Sequence, residues 1–288
     1  MKEVKTAVIS AAGFSTRFLP TTKTIPKEMI PILDTPTIEY IVEELAQSGI
    51  ENIIIVTKRG NAATEDYFDN VEELENALLK ANKLEYLERV KRVNKLVKRI
   101  AFVRQDKTLP YGNATPLICA QPFVKEEPFI YVFCDDLVIG EVPATRELIQ
   151  YYKNNDVDSV IIVDDVEISE VNKYGIVKFK ENNKDIDMII EKPEISNTPS
   201  TLASYGRYIF SPKIFKYLDP TNIGKNGELW IVDAINRFAK ENIVQTLKPT
   251  GKWYTTGDPL NLFKVTLEIA SRKPEYREYL KQFTQSLS

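Results

Sequence analysis

Histidine is absent from the 288 residues. Its absence removes a Ser-His-Asp triad, a histidine zinc site and a histidine general base. Chemistry must therefore run on carboxylates, lysines, arginines, backbone amides or a metal ion. Cysteine is scarce: Cys119 and Cys134 cannot build a disulfide or zinc framework. There is no basic surplus, with 38 Lys and Arg against 41 Asp and Glu and a formal net charge of −3. Nothing in that balance favours a nucleic acid partner. No apolar run reaches the roughly 20 residues of a membrane helix. Residues 1–5 lead straight into a strand-like run without the apolar core of a signal peptide. A cytoplasmic location is expected, with neither membrane nor nucleic acid as a partner.

What is present is an alternation of short β-branched runs and longer amphipathic segments. Strands are predicted at 6–10, 53–57, 100–103, 129–133, 159–163, 175–179 and 204–210. Helices are predicted at 36–48, 71–98, 115–121, 144–154, 229–240 and 259–271. Such alternation argues for βαβ units and a mainly parallel sheet. Fully apolar runs such as Ile53-Ile54-Ile55-Val56 suit strands buried on both faces. Ligand-binding loops are then expected beyond the strand ends at one sheet edge. In 71–98, Leu74, Leu78, Ala81, Leu84, Leu87, Val90, Val93 and Val97 recur every three or four residues. This predicts a long amphipathic helix or a helical pair used for packing or subunit contact. The charged tail 273–288 is expected to be peripheral.

The first strand runs into Ala11-Ala12-Gly13-Phe14-Ser15-Thr16-Arg17-Phe18-Leu19-Pro20. Small residues let backbone N–H groups approach phosphate oxygens, and Arg17 adds a fixed charge. The dinucleotide and P-loop glycine spacings are both missing, so alone this loop also reads as an ordinary tight turn. Thr22-Lys23-Thr24-Ile25-Pro26-Lys27-Glu28-Met29-Ile30-Pro31 follows closely. Phe133-Cys134-Asp135-Asp136 closes an apolar run with two carboxylates, which are costly to desolvate unless paired or metal-bound. Neighbours on a strand face opposite ways, so one of the two should face a ligand directly. Asp258 precedes Pro259, a good helix N-cap as well as a possible ligand. Cys134 reads as a small core thiol.

The paired segments A-A-G-x-x-T-R-x-L-P and T-K-x-x-P-K-E-M-x-P resemble the signature of bacterial-type UTP–glucose-1-phosphate uridylyltransferases, within the sugar-phosphate nucleotidyltransferases. The resemblance continues in order through Val103-Arg104-Gln105, Tyr174-Gly175-Ile176-Val177, Glu191-Lys192-Pro193, Gly206-Arg207-Tyr208, Gly227-Glu228-Leu229 and Thr256-Gly257-Asp258. It implies an α/β fold: a Rossmann-like, mainly parallel mixed sheet flanked by helices, with 71–98 as a helical insertion and small sugar-side β elements. One domain over 1–272 is expected. The chain departs from the pattern at Pro110 and Asn113, where a glycine and a histidine are usual. Leu229-Trp230 likewise replaces an aliphatic-polar pair.

The activity so implied is nucleotidyl transfer from UTP to glucose 1-phosphate, giving UDP-glucose and pyrophosphate with Mg2+ as cofactor. The resemblance assigns Asp135 and Asp258 to the metal, and Arg17 and Lys27 to the leaving phosphates. Lys192 falls to the sugar phosphate, Glu191 and Gly175 to the sugar. Ala11, Ala12, Gly13, Gln105 and Gly112 frame the nucleoside. A homo-oligomer, dimer or tetramer, is implied as well. The alternatives are the same reaction with another nucleotide or sugar, such as dTTP, and a non-catalytic binding subunit of this fold.

Overall fold

The structure, a computed structural model, describes residues 3–287. Its strands in chain order are β1 (Thr6–Ala11), β2 (Pro31–Ile32), β3 (Thr35–Pro36), β4 (Asn52–Thr57), β5 (Arg99–Arg104), β6 (Phe129–Phe133), β7 (Asp136–Ile139), β8 (Ser159–Asp165), β9 (Gly175–Phe179), β10 (Ile186–Glu191), β11 (Leu202–Phe210), β12 (Val244–Leu247) and β13 (Lys252–Thr255). The helices are α1 (Thr37–Gln47), α2 (Ala62–Tyr67), α3 (Glu72–Lys80), α4 (Leu84–Val93), α5 (Thr115–Ala120), α6 (Ala144–Asn154), α7 (Ile231–Phe238), α8 (Pro259–Arg272) and α9 (Pro274–Ser286). Nine strands form one mixed sheet in the order β10-β9-β11-β6-β1-β4-β5, with β8 joining β11 and β12 joining β8.

The apolar alternation of the strands decides what lies above and below. In β1, Ala7, Ile9 and Ala11 enter one core with Ile53, Ile55, Ile130 and Val132. Val8 enters the other core with Ile54, Val56, Phe129 and Tyr131. Because both faces are apolar, both are covered by helices. α1 buries Ile38, Ile41, Val42 and Leu45 at helical spacing on the first face. α7 buries Ile231, Val232, Ala234, Ile235 and Phe238 on the second. Each fully buried aliphatic contributes roughly 1.5–3 kcal/mol of transfer free energy.

Two arrangements steer the chain toward the site. First, β11 splits its edge. Ala203 and Ser204 pair with β9, whereas residues 207–210 pair with β6. The β9–β10 pair therefore fans away beside the end of β6. Second, β7 and β13 form a separate antiparallel ribbon, with Asp136 opposite Thr255. Arg207, fully buried, locks this region: it pairs with Glu44 of α1 and donates to Thr145 Oγ1 (3.3 Å) and the Asp136 carbonyl (3.1 Å).

The periodic stretch 71–98 forms the pair α3 and α4, broken where Asn82 takes φ 53. The hydrophobic repeat runs across that break, so periodicity alone does not reveal it. α7 begins at Ile231 instead of 229, because Leu229 spends its N–H and carbonyl on a neighbouring loop. The segment after Lys273 is the helix α9, with no buried residue. Among the described residues, no helix is long and apolar enough to cross a membrane.

Candidate active site

Strand register assembles the site. Ser10 of β1 lies beside Val56 of β4 and Phe133 of β6, and Thr57 lies beside Arg104 of β5. The residues that follow these strands therefore leave the sheet at one edge. They are Ala12-Gly13, Lys58, Gln105 and Cys134-Asp135. A cavity of about 170 Å³ at this edge is lined by Ala12, Gly13, Lys27, Gln105, Gly112, Asp135 and Trp230, among others. A second cavity of about 460 Å³ shares Ala12, Gln105 and Tyr111 with it and adds Phe14 and Lys58. Tyr111 stands between the two. Its ring stacks on Phe14 at 5.1 Å, and its hydroxyl accepts from the Phe14 N–H at 3.4 Å. The Lys58 ammonium donates to the Gly13 carbonyl at 2.8 Å and fixes the glycine loop. Ala11 is the buried last residue of β1 and lies behind this loop.

At the far wall, Lys27 Nζ donates to Asp135 Oδ2 at 2.6 Å. Burial pushes the ammonium pKa down, but the Asp135 carboxylate more than offsets it and leaves Lys27 well above the usual lysine range. Glu28, next in sequence, points inward and accepts from Asn61 Nδ2 (3.0 Å) and Thr64 Oγ1 (3.4 Å). Burial raises the Glu28 carboxyl pKa. Asp136 faces away from the cavity and accepts from Trp253 Nε1 and the Gly206 N–H, both at 2.9 Å. Burial, then the Asp135 charge, pushes its carboxyl up to about 7. Cys134 is buried, and burial holds its thiol pKa well above the ordinary value, as a core thiol requires.

The β7–β13 ribbon brings the last motif to Asp135. The Thr256 N–H donates to the Asp135 carbonyl at 2.7 Å. A Cβ on Gly257 would sit 3.1 Å from Asp135 Oδ2 and 3.5 Å from an Arg17 guanidinium nitrogen. A side chain there would crowd both groups. Arg17, exposed on a short turn, thus borders Asp135 across Gly257. Asp258 caps α8: Oδ1 accepts from the Asn261 N–H (3.0 Å) and Oδ2 from Asn261 Nδ2 (2.6 Å). Among the described residues, no three His, Cys, Asp or Glu side chains form a metal cage. The site offers hard carboxylate oxygen from Asp135, with Asp258 one residue beyond Gly257. That suits a cation such as Mg2+, which needs one or two carboxylates and keeps its waters.

The fanned strands supply the third side. Gly175 opens β9 and pairs with Glu191 at the end of β10. A Cβ on Gly175 would lie 3.1 Å from Glu191 Oε2, so the glycine lets that carboxylate fold in. Lys192 turns the chain with φ 48, and its N–H donates to the Tyr174 carbonyl at 2.9 Å. Its ammonium lies 3.6 Å from Glu191 Oε1 and 4.5 Å from the centroid of the Trp230 ring. Trp230 in turn lines the cavity of Lys27 and Asp135.

Sequence reasoning missed how the loop 110–114 is held. The Leu229 N–H donates to the Tyr111 carbonyl at 2.8 Å, and the Ala114 N–H donates to the Leu229 carbonyl at 3.0 Å. Asn113 Oδ1 accepts from the Ile231 N–H at 2.7 Å and so satisfies the first turn of α7. Its partner lies 118 residues away, and no local signal announces it. Gly112, at φ 151, passes directly against Leu229, where a Cβ would come within 2.1 Å of the Leu229 carbonyl oxygen.

Comparisons with known proteins give the family and the fold. The sequence profile of the family described as "Nucleotidyl transferase" matches residues 6–272. A UTP--glucose-1-phosphate uridylyltransferase of Bacillus subtilis (strain 168) is 40% identical over 290 residues, covering 100% of this chain and 98% of that relative. Among solved structures, a UTP-bound UGPase from Acinetobacter baumannii superposes with a TM-score of 0.88 at 32% identity, covering 99% of this chain and 100% of the other. A UDP-glucose pyrophosphorylase complexed with UDP-glucose gives a TM-score of 0.82 at 33% identity, covering 94% and 100%.

Proposed function

Because the chain belongs to the nucleotidyl transferase family, among the bacterial UTP–glucose-1-phosphate uridylyltransferases, we infer that it joins UTP and glucose 1-phosphate into UDP-glucose and pyrophosphate. The carrying observation is the single sheet edge where Ala12, Gly13, Gln105 and Gly112 share a cavity with Lys27 and Asp135. The small residues of this recess thereby stand beside the charged wall of Lys27 and Asp135.

The nucleophile is a phosphate oxygen of glucose 1-phosphate, already anionic at neutral pH. No general base is needed, so the missing histidine is compatible with the chemistry. The oxygen attacks the α-phosphorus in line, the bond from that phosphorus to the bridging oxygen breaks, and pyrophosphate leaves. The barrier is the approach of two polyanions and the charge growing on the leaving oxygen, so positioning and electrostatics do most of the work. Gln105 presents an amide that can pair with the base edge. Ala12 and Gly13 let the nucleotide approach the backbone, and Gly112, packed on Leu229, lines the same recess from the opposite loop. Arg17 and Lys27 hold the departing phosphates. Glu191 accepts from sugar hydroxyls where Gly175 leaves room, and Lys192 receives the sugar phosphate.

Nucleotidyltransferases of this family generally use a divalent metal. We assign Mg2+ to Asp135 and Asp258, where it would supply Lewis-acid neutralisation of phosphate charge. We also place the enzyme in the cytoplasm. The exposed Tyr276, Tyr279 and Phe283 of α9 support a homo-oligomer, which light scattering on the purified chain would test. The deciding assay is pyrophosphate release from UTP with and without glucose 1-phosphate, repeated with dTTP, CTP and GTP and with other sugar 1-phosphates. Release dependent on UTP and glucose 1-phosphate together is expected. No release with any pair would favour a non-catalytic role, and a better rate with dTTP would move the assignment to a thymidylyltransferase.

A further inference from the structure

Trp230 stands between the cavity of Lys27 and Asp135 and the Lys192 ammonium, and its mounting is rigid. Before it, Leu229 is bonded through both backbone groups to Tyr111 and Ala114; after it, the Ile231 N–H is held by Asn113. The Trp230 carbonyl accepts from the Asp233 N–H at 3.1 Å. Gly224 lies against the indole, since a Cβ there would fall 2.9 Å from Trp230 Cδ1. From this seat the indole lines the cavity of Lys27 and Asp135 and meets the Lys192 ammonium 4.5 Å from its ring centroid.

The ammonium has a competing attractor in Glu191 Oε1, 3.6 Å away. A tight carboxylate pair would neutralise the charge that a sugar phosphate needs. The face of an indole attracts a cation through its quadrupole without neutralising it. The indole thus gives the lysine, on its flexible four-carbon stem, a second seat beside Glu191 from which it can turn toward an incoming dianion.

We propose that Trp230 is the positioning residue for Lys192, its indole face holding the ammonium at the cavity so that it meets the phosphate of the sugar 1-phosphate. This rests on the reading of Lys192 as the sugar-phosphate lysine. Kinetics with UTP and glucose 1-phosphate, each varied at saturation of the other, test it in Trp230→Phe, Trp230→Leu, Trp230→Gln, Lys192→Ala and the Lys192→Ala/Trp230→Leu double variant. Trp230→Leu and Trp230→Gln should raise KM for glucose 1-phosphate by about three- to tenfold, the scale of a partly desolvated cation–π contact. KM for UTP should rise by clearly less than KM for glucose 1-phosphate in both. Trp230→Phe, which keeps an aromatic face, should restore most of the difference. In the Lys192→Ala background, Trp230→Leu should add almost nothing, because the two residues act as one unit. Thermal melts check folding, and Trp230→Gln carries the test if Trp230→Leu fails to fold. Additive effects in the double variant, or a loss falling mainly on UTP, would overturn the proposal. If Lys192→Ala itself leaves KM for glucose 1-phosphate unchanged, the underlying assignment of Lys192 fails. If Lys192→Ala raises that KM while Trp230→Leu and Trp230→Gln are silent, only the role of Trp230 fails.

Discussion

Asp258 is bonded in a way that lets its two possible roles be separated. Its Oδ1 accepts from the Asn261 N–H at 3.0 Å and its Oδ2 from Asn261 Nδ2 at 2.6 Å. A carboxylate has about four lone-pair directions, so capping α8 leaves acceptor capacity for a cation. Asp258→Ala removes both functions. Loss of the cap costs about 1 kcal/mol, which lowers Tm by about 2–4 °C for a chain of this size. Asp258→Asn keeps an oxygen on the Asn261 N–H, a turn of the Asn261 amide lets its oxygen accept from the new NH2, and Asn caps as well as Asp does, so Tm should hold within about 1 °C. It removes the negative charge, however, and a lost metal carboxylate costs several kcal/mol of transition-state stabilisation, roughly a hundredfold or more in rate. The assay pairs differential scanning calorimetry with magnesium-titrated pyrophosphate release for both variants. The expected pattern is a stability loss in Asp258→Ala alone and an activity loss in both, with a raised magnesium requirement. A folded Asp258→Asn enzyme with near-normal turnover at ordinary magnesium would reduce Asp258 to a helix cap and refute the metal assignment.

Asp135→Asn should fold yet lose about a hundredfold or more in turnover, since it strips the carboxylate from the cavity and weakens the 2.6 Å contact to Lys27; magnesium-dependent initial rates check this. Gly112→Ala should lower Tm and raise KM for UTP together, because its Cβ would come within 2.1 Å of the Leu229 carbonyl oxygen and push the 110–114 loop off Leu229; unchanged values of both would show that the strap is dispensable. Glu28→Gln should stabilise the fold more at pH 8 than at pH 5. Burial raises the Glu28 pKa above its unfolded value, so its neutral form favours folding at low pH and that contribution fades as pH rises. Melting curves across that range, with wild type alongside, give the sign directly.

The elements that depend on local pattern were legible in the sequence. The apolar runs of β1, β4 and β6 and the amphipathic span of α6 lie where periodicity places them, because both sheet faces are covered and each helix has one apolar stripe. The elements that depend on distant partners were not. β7 and β13 have four residues each and face one another across more than a hundred residues, too short for a strand pattern to register. Yet that ribbon is what sets Gly257 against Asp135. Asn113 reads locally as an ordinary turn residue, and only the fold shows its side chain bonded to the Ile231 N–H of α7. The motif residues themselves were named from sequence, but not the groups that hold them: Lys58 on the Gly13 carbonyl, Asn61 on Glu28, and Trp253 on Asp136.

The unrecognised contacts share a physical purpose. Each site-bearing loop leaves a strand end, where backbone groups lose their ladder partners and must find others. The glycine loop finds Lys58, the 110–114 loop finds Leu229, and the Asp135 carbonyl finds Thr256. These bonds replace the ladder and hold charged groups that would otherwise relax toward water or toward one another. Lys27 beside Asp135 shows why such holding matters. Two opposite charges placed 2.6 Å apart satisfy each other until a polyanion arrives to compete for the lysine. Nucleotidyl transfer brings that polyanion, and on the roles proposed above Lys27 would turn toward phosphate and Asp135 toward a cation. A cleft built this way needs no proton shuttle, and its catalytic power lies in the placement of its charges, a form of catalysis that a chain without histidine can use in full.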